Sequence, residues 1–232
     1  MQTYTQTNTM EHYDEGLRSY MIGVYNYMMA ALLVTGITSY LAAPILKPLI
    51  VTPWWIIFAL LPLVFSLVLL FGLHKLPIRI AKTLFYSYAI SMGLSLSSIF
   101  MIFTTASIAK VFFITSATFA AASLYGYTTK KDLTSMGSFL FMGMIGLLIA
   151  SIVNIFLAST MISWIISVIG VLVFTLLTAF DSQKLKDEYL SGGKVYGFDS
   201  QEKSSIFGAL TLYLDFVLIF QYLITLMGQK DE

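Results

Sequence analysis

The 232-residue chain has no cysteine, so disulfides, thiol catalysis and thiolate metal sites are excluded. It is also poor in charge: 13 Lys and Arg with 12 Asp and Glu make up 11% of the residues. An ordinary soluble domain has about one quarter charged residues. The net charge is +1 and no basic run is present, so nothing indicates nucleic acid as a partner.

Apolar residues take the place of the missing charges. They make up 58% of the chain, and the mean hydropathy is +0.83. So few charged side chains cannot cover a core of this size with a polar surface, and the composition predicts a lipid bilayer as the main surroundings. Residues 1–20 are an exception, because they are polar and place their acids before Arg18. They lack the basic start and short apolar core of a signal peptide, which predicts a retained N-terminal tail.

Seven apolar stretches are close to the roughly 20 residues that cross a bilayer as a helix. They cover residues 21–43, 54–73, 83–103, 108–127, 137–157, 162–180 and 206–227. The breaks between the first three contain Pro44, Pro48, Pro53 and Pro77. The sequence therefore predicts an all-α integral membrane protein. Its parts are a polar cytosolic tail at 1–20, a single seven-helix transmembrane domain at 21–228 and a short C-terminal tail at 229–232.

Lys and Arg are concentrated on one side of these spans. With seven spans, ten of the 13 lie on the side of the N-terminus, and the other three are Lys47, Lys110 and Lys230. Basic residues favour the cytosolic side of a membrane. The distribution therefore predicts a cytosolic N-terminus and an external C-terminus.

Small and polar residues form stripes on two of the predicted helices. The stripe of the third span consists of Ser87, Ser91, Ser95 and Ser98. The fifth span carries Gly143, Gly146, Ala150 and Asn154. Such stripes let helices approach closely and let polar side chains bond across the interface. Two interpretations stay open, a seam between packed helices and a polar lining for a permeation path.

The connection before the last span predicts a long cytosolic hairpin. After Asp181, the segment SQKLKDEYL keeps a helical composition to Leu190, and the Ser-Gly-Gly that follows supplies a stop. Further on, Asp199 and Glu202 are three residues apart, a spacing similar to a capping box at the start of the last helix. The sixth and seventh spans are therefore predicted to run antiparallel.

Two aspartates accompany this hairpin, Asp181 in TAFDSQKL and Asp215 in LYLDFVLIF. An Asp at the centre of a bilayer helix costs roughly 2.5–3.5 kcal/mol, so it needs a partner or a function. Asp181 alone is more typical of a solvated helix end near Lys184 than of a site, whereas the last span has no basic residue to neutralise Asp215. If the hairpin brings the two together, they are expected to share one proton. Their predicted depths differ by about 13 Å, so the last helix must start lower in the cytosol or tilt.

The stretches SVIGVLVFTLLTAFDSQKL (167–185) and FGALTLYLDFVLIFQYLI (207–224) resemble the Bax inhibitor-1 family, including its bacterial YccA and YetJ-like members. The stretch YMIGVYNYMMAALLVTGI (20–37) resembles it more weakly. The resemblance implies a seven-helix bundle with the last helix at the centre, acting as a pH-sensitive calcium leak in a bacterial inner membrane. It also implies that Asp181 and Asp215 form the protonation gate and a weak, transient calcium site. A cofactor is not expected.

The second span departs from some relatives, which carry an acidic residue inside it and an Arg at its cytosolic end. Here the span has no carboxylate, and its end offers His74, Lys75 and Arg79. One of these three is a candidate for a basic latch on the aspartate pair. Which one stays open.

Two other function classes compete with a non-enzymatic ion pathway. An intramembrane aspartyl protease is disfavoured because Leu212, Tyr213 and Leu214 stand where such enzymes resemble one another in a GxGD stretch. A rhomboid-like serine protease needs a histidine within the membrane and a retinal pump needs a lysine in the last helix, and the sequence offers neither. A membrane interaction protein that modulates a membrane protease complex or a stress or cell-death partner is the main alternative. Its handle is expected in residues 1–20.

Overall fold

The computed structural model describes residues 2–50, 52–192 and 200–231, and this described part is helical without a β-strand. Its helices are α1 (Gln2–Ile50), α2 (Trp55–Gly72), α3 (Ile78–Leu96), α4 (Ile99–Ile102), α5 (Thr105–Thr128), α6 (Thr134–Leu157), α7 (Thr160–Leu190) and α8 (Gln201–Met227). Seven helical stretches are long and apolar enough to cross a membrane, with α3 and α4 together forming one of them. The predicted all-α class and the seven spans are confirmed.

Local chemistry sets several helix ends. The side chain of Thr104 accepts a hydrogen bond from the N–H of Ser107 at 3.3 Å and caps the start of α5. Asp132 accepts the N–H of Thr134 at 2.8 Å where α6 begins. α7 ends at Leu190, as predicted, and Gly192 follows with a φ of +71°, a conformation that favours glycine.

The first helix differs from its predicted bounds at both ends. α1 is continuous from Gln2 to Ile50, so the residues predicted as a tail run into the first span, and Pro44 and Pro48 lie inside the helix. The break predicted after residue 43 is wrong. A proline removes one backbone hydrogen bond, but membrane helices tolerate this because neighbouring groups satisfy the freed carbonyl.

The third predicted span is not one continuous helix. α3 ends at Leu96, and a turn at Ser97 and Ser98 separates it from α4. Ser98 therefore precedes a new helix and does not continue the helical stripe formed by Ser87, Ser91 and Ser95. The sequence shows no breaker at this point, and the even helical spacing of the serines concealed the turn.

The last helix begins five residues before the predicted residue 206. The Oγ of Ser200 accepts the N–H of Lys203 at 3.3 Å and caps the first turn. Asp199, predicted to share a capping box, lies outside the described residues, and Glu202 pairs with Lys82 instead. This early start places Asp215 fourteen residues into α8, further from the start of the helix than the sequence predicted.

The chain divides into two compact units. Unit 1 comprises Met1–Leu96 and Leu185–Thr211, and unit 2 comprises Ser97–Lys184 and Leu212–Glu232. In unit 1, α3 packs against α1 and α2, and the hydroxyl of Thr35 on α1 donates to the carbonyl of Ala89 on α3 at 2.9 Å. Unit 2 has a core of aliphatic and aromatic side chains from α5 to α8. Its buried members are Ile108, Val111, Leu140, Leu147, Ile166, Val173, Phe174, Leu177, Ile219, Phe220, Leu223 and Ile224.

Large apolar side chains are exposed along most spans, as a surface in contact with lipid requires. Phe71 is 79% exposed and Phe156 is 84% exposed. The last helix is different, because 56% of its most apolar stretch is buried, the largest share among the seven spans. This burial is what the resemblance implied for the final helix. The predicted division into tails and one domain stays a prediction.

Candidate functional site: a buried carboxyl pair

Asp181 on α7 and Asp215 on α8 form a hydrogen bond through their side chains in unit 2. Two ionised carboxylates have only acceptor oxygens, so a hydrogen bond between them requires a proton on one of them. Asp215 is only 4% exposed, and Asp181 is half-buried. The structure therefore brings the two aspartates together as a pair that a shared proton can join.

One carboxyl oxygen of this pair is unsatisfied. The Oδ2 atom of Asp215 is buried and has no hydrogen-bond partner among the described residues. Thr178, three residues before Asp181, also contacts the Asp215 carboxyl, but its hydroxyl lies 2.8 Å from the carbonyl of Phe174 and has a single proton to give. A buried oxygen without a partner costs about 1–3 kcal/mol. A hydrogen-bond donor or a cation next to this oxygen would therefore stabilise it.

Close packing on α5 holds α7 in place beside Asp181. Gly126 on α5 touches the backbone of Ala179, and a Cβ added at Gly126 would lie 2.7 Å from the carbonyl carbon of Ala179. One turn away, the hydroxyls of Ser123 and Ser182 are 2.8 Å apart and form a buried hydrogen bond. A glycine and a serine thus let the two helices approach closely, as is common in membranes.

Aromatic packing on α5 also orients α8. The ring of Phe216, next to Asp215, lies between Phe112 and Phe119, with ring centroids 5.6 Å from each. Both contacts are edge-to-face, a favourable arrangement for aromatic rings. Because successive side chains on a helix point about 100° apart, anchoring Phe216 on α5 turns Asp215 toward α7.

Gln183 ties the loop between α5 and α6 to α7. Its Oε1 accepts the N–H of Leu133 at 2.8 Å, and its Nε2 donates to the carbonyl of Lys131 at 2.8 Å. Sequence reasoning missed this residue, along with Thr178, Ser123 and Ser182. These residue types are common in helices and do not by themselves indicate a site. For Gln183, the one available signal was its position two residues after Asp181.

The predicted basic latch residues lie in unit 1, and His74, Lys75 and Arg79 are all exposed. That one of them acts on the aspartate pair stays a prediction. In unit 2, the charge of Lys184, one turn from Asp181 on the same helix, acts on Asp181, and its Nζ lies 6.0 Å from the centre of the Phe180 ring.

Two residues of the predicted polar lining, Ser91 and Asn154, make hydrogen bonds to groups close to them in the chain. Ser91 donates to the carbonyl of Tyr88 on its own helix at 2.7 Å. The side chain of Asn154 accepts the N–H of Ser159 at 3.2 Å and so supports the turn between α6 and α7. Gly143 faces Val173 on α7, whereas Gly146 is exposed with no described atom near its Cβ position. A lining role for these residues stays a prediction.

No group of three His, Cys, Asp or Glu side chains that could hold a metal ion occurs among the described residues. The site therefore offers two carboxyl groups. Calcium sites in proteins use six to eight oxygen ligands. Two carboxyl groups alone can contact a hard cation only weakly.

The family model described as "Inhibitor of apoptosis-promoting Bax1" matches residues 17–232. The chain is 46% identical over 234 residues to the uncharacterized protein RP147 of Rickettsia prowazekii, covering 99% of this chain and 98% of that protein. It is 40% identical over 231 residues to an uncharacterized protein of Caulobacter vibrioides, covering 94% of this chain and 92% of the other.

A named relative comes from Escherichia coli K12, the inner membrane protein YbhL. It is 39% identical over 236 residues, which cover 99% of this chain and all of YbhL. These matches span the positions of Asp181 and Asp215 and the seven apolar helices. The resemblance to the Bax inhibitor-1 family seen in the two stretches around these aspartates is confirmed. This chain is an integral multi-pass membrane protein that belongs to the Bax inhibitor-1 family.

Proposed function

We propose that this protein is a pH-sensitive leak pathway for calcium ions, gated by the protonation of Asp181 and Asp215. The observation that carries the proposal is the hydrogen-bonded carboxyl pair, with one buried oxygen of Asp215 lacking a partner in the described structure. Membrane-embedded acids of this kind generally mark ion or proton pathways.

Protonation gives the pair two states that differ in energy. With one proton, the carboxyl groups attract through a hydrogen bond. Without it, two negative charges about 4 Å apart repel by about 4 kcal/mol at an effective dielectric constant of 20. The loss of the proton therefore favours separation of α7 from α8 at this level, and a two-state element biased by pH results.

Calcium fits this site as cargo. Carboxylate oxygens are the ligands that calcium prefers, and a pair of them binds too weakly to store the ion. Weak binding suits passage, because an ion must leave a conduction site as readily as it enters. The path needs no cofactor and no enzymatic step. By analogy with YbhL, we place it in a bacterial inner membrane, and the Lys and Arg distribution favours a cytosolic N-terminus.

The test is calcium flux into liposomes that contain the full-length protein and a trapped calcium dye, measured from pH 5 to 8. Asp215→Asn keeps the shape of the side chain but cannot lose a proton, so its flux should vary little with pH. Asp187→Asn is the matched control, because Asp187 is exposed on the same helix as Asp181, and its flux should follow the wild type.

Two results would reject the proposal. A pH profile of Asp215→Asn that matches the wild type removes Asp215 as the gate. Wild-type liposomes without calcium flux at any pH reject the leak itself, and modulation of a membrane partner then becomes the function to test.

A further inference from the structure

Gln183 lies two residues after Asp181 on α7 and bonds to the loop between α5 and α6. Its amide bridges two backbone groups of the loop at residues 129–133, and the side chain is only 8% exposed. The loop is anchored at the same point by Leu133, whose side chain is 7% exposed. A single glutamine therefore satisfies one donor and one acceptor of a short connection between α5 and α6.

Three consecutive side chains of α7 contact three different parts of unit 2. Asp181 bonds to Asp215 on α8, Ser182 bonds to Ser123 on α5, and Gln183 bonds to the loop. Successive side chains on a helix are about 100° apart, so these contacts surround α7 at one level. Together they fix its rotation about its own axis, and a loss of one contact frees that rotation.

We propose that Gln183 is a positioning residue that, by holding the α5–α6 loop on α7, sets the rotation of α7 and the approach of Asp181 to Asp215. This inference rests on the proposed function, because its effect is read through the pH response of the pair. On this inference, the α5–α6 loop takes part in gating. The loop becomes the point at which motion at the cytosolic end of α5 and α6 reaches the carboxyl groups.

Charged side chains of the described residues lie near this point on α7, α8 and the loop. Lys184 on α7 and Asp215 on α8 act directly on Asp181. The loop adds Lys130, Lys131 and Asp132, all with exposed side chains. Substitutions at Gln183 that introduce no charge therefore test position alone and leave the local charges unchanged.

Two uncharged variants of the full-length protein separate the bridge from its volume. Gln183→Met has nearly the same volume and makes neither hydrogen bond. Gln183→Asn keeps the amide but is one methylene shorter, so it cannot reach Lys131 and Leu133 together. Gln201→Met is the matched control, because Gln201 is an exposed glutamine at the start of α8.

Hydrogen exchange reports the bridge, and calcium flux in liposomes reports the gate. In both variants the amide of Leu133 should exchange at least about tenfold faster than in the wild type, because it loses its acceptor. The midpoint of the pH profile of flux should move by about half a pH unit or more. Such a shift corresponds to a modest change in the interaction free energy between the carboxyl groups of Asp181 and Asp215. Gln201→Met should change neither value.

The outcomes distinguish this inference from the proposed function. If Leu133 exchanges faster but the midpoint stays within about 0.1 pH unit of the wild type while Asp215→Asn flattens the profile, Gln183 has no positioning role and the gate stands. If Leu133 exchange does not change, the bridge does not hold the loop and the inference is overturned. If Asp215→Asn leaves the profile unchanged, the gate fails, and the positioning role fails with it.

Discussion

A pair of oppositely charged side chains in unit 1 and a pair of carboxyl groups in unit 2 differ in charge and burial. In unit 1, Lys82 forms a salt bridge with Glu202, and their side chains are 38% and 46% exposed. Tyr27 donates to the same carboxylate at 2.9 Å. In unit 2, Asp181 meets Asp215, a carboxyl group that is only 4% exposed.

The difference explains which pair can respond to protons. Opposite charges at an exposed site attract each other without a shared proton. Their attraction contributes little to stability and is screened by salt. Two ionised acids in an apolar environment repel each other, and a proton between them replaces this repulsion with a hydrogen bond. The first pair should therefore respond to ionic strength, and the second should respond to pH.

The packing that keeps the acidic pair buried gives the largest expected effect. Gly126→Leu places a side chain against the backbone of Ala179, which cannot move aside as a flexible side chain can. We expect a loss of about 3 kcal/mol in the free energy of unfolding, measured by denaturation in detergent. Gly146→Leu is the control, since Gly146 is exposed, and it should change stability by about 0.5 kcal/mol or less. Equal losses in both variants would contradict the close approach of α5 and α7.

The hydrogen bond between Ser123 and Ser182 should have a smaller effect. Ser123→Ala removes a buried bond of 2.8 Å between α5 and α7, and we expect a loss of about 1 kcal/mol in unfolding free energy. Ser116→Ala is the control, because the hydroxyl of the half-buried Ser116 donates to the carbonyl of Phe112 on its own helix. A double-mutant cycle with Ser182→Ala should give a coupling of about 0.6 kcal/mol, and a coupling of zero would remove this bond from the account.

The exposed pair of unit 1 should contribute less still. In a double-mutant cycle of Lys82→Gln and Glu202→Gln, we expect a coupling of about 0.5 kcal/mol in unfolding free energy at low salt. The coupling should fall toward zero at about 1 M salt, where the Debye length is about 3 Å. A coupling that is insensitive to salt would contradict the assignment of Lys82 and Glu202 as an exposed, salt-screened pair that differs from the buried acidic pair.

Asp132 provides the smallest effect and a check on ordinary pH behaviour. Hydrogen bonds from the side chain and the backbone of Thr134 lower the pKa of the Asp132 carboxyl below its usual value. A group with a lowered pKa stabilises the folded state above its unfolded pKa and loses this contribution as the pH falls through the folded value. The stability difference between wild type and Asp132→Asn should therefore be constant above about pH 5 and shrink below about pH 4. A difference that changes between pH 6 and 8 would contradict this assignment.

The sequence was sufficient for the features that depend on composition. Long apolar stretches predicted the seven spans, and the helical composition after Asp181 predicted the end of α7 at Leu190. The isolated charge of Asp215 in an apolar helix pointed to a partner, since the cost of burying it is large.

Features that depend on contacts between helices were not visible in the sequence. The continuation of α1 through Pro44 and Pro48 depends on what satisfies the freed carbonyls, and the turn at Ser97 and Ser98 has no sequence breaker. Gly126 shows the same limit, because a lone glycine in a helix marks close packing only when its neighbour is known. The bridge made by Gln183 could not be predicted, since its partners are backbone groups about 50 residues away.

The shared proton of Asp181 and Asp215 is the central claim, and infrared absorption of the carboxyl groups tests it most directly. We predict that the full-length protein in lipid at pH 7 shows a component from a protonated carboxyl group. This component should be absent from both Asp181→Asn and Asp215→Asn and unchanged in Asp187→Asn. A spectrum in which every carboxyl group is ionised at pH 7, or a component that survives both substitutions, would contradict the account.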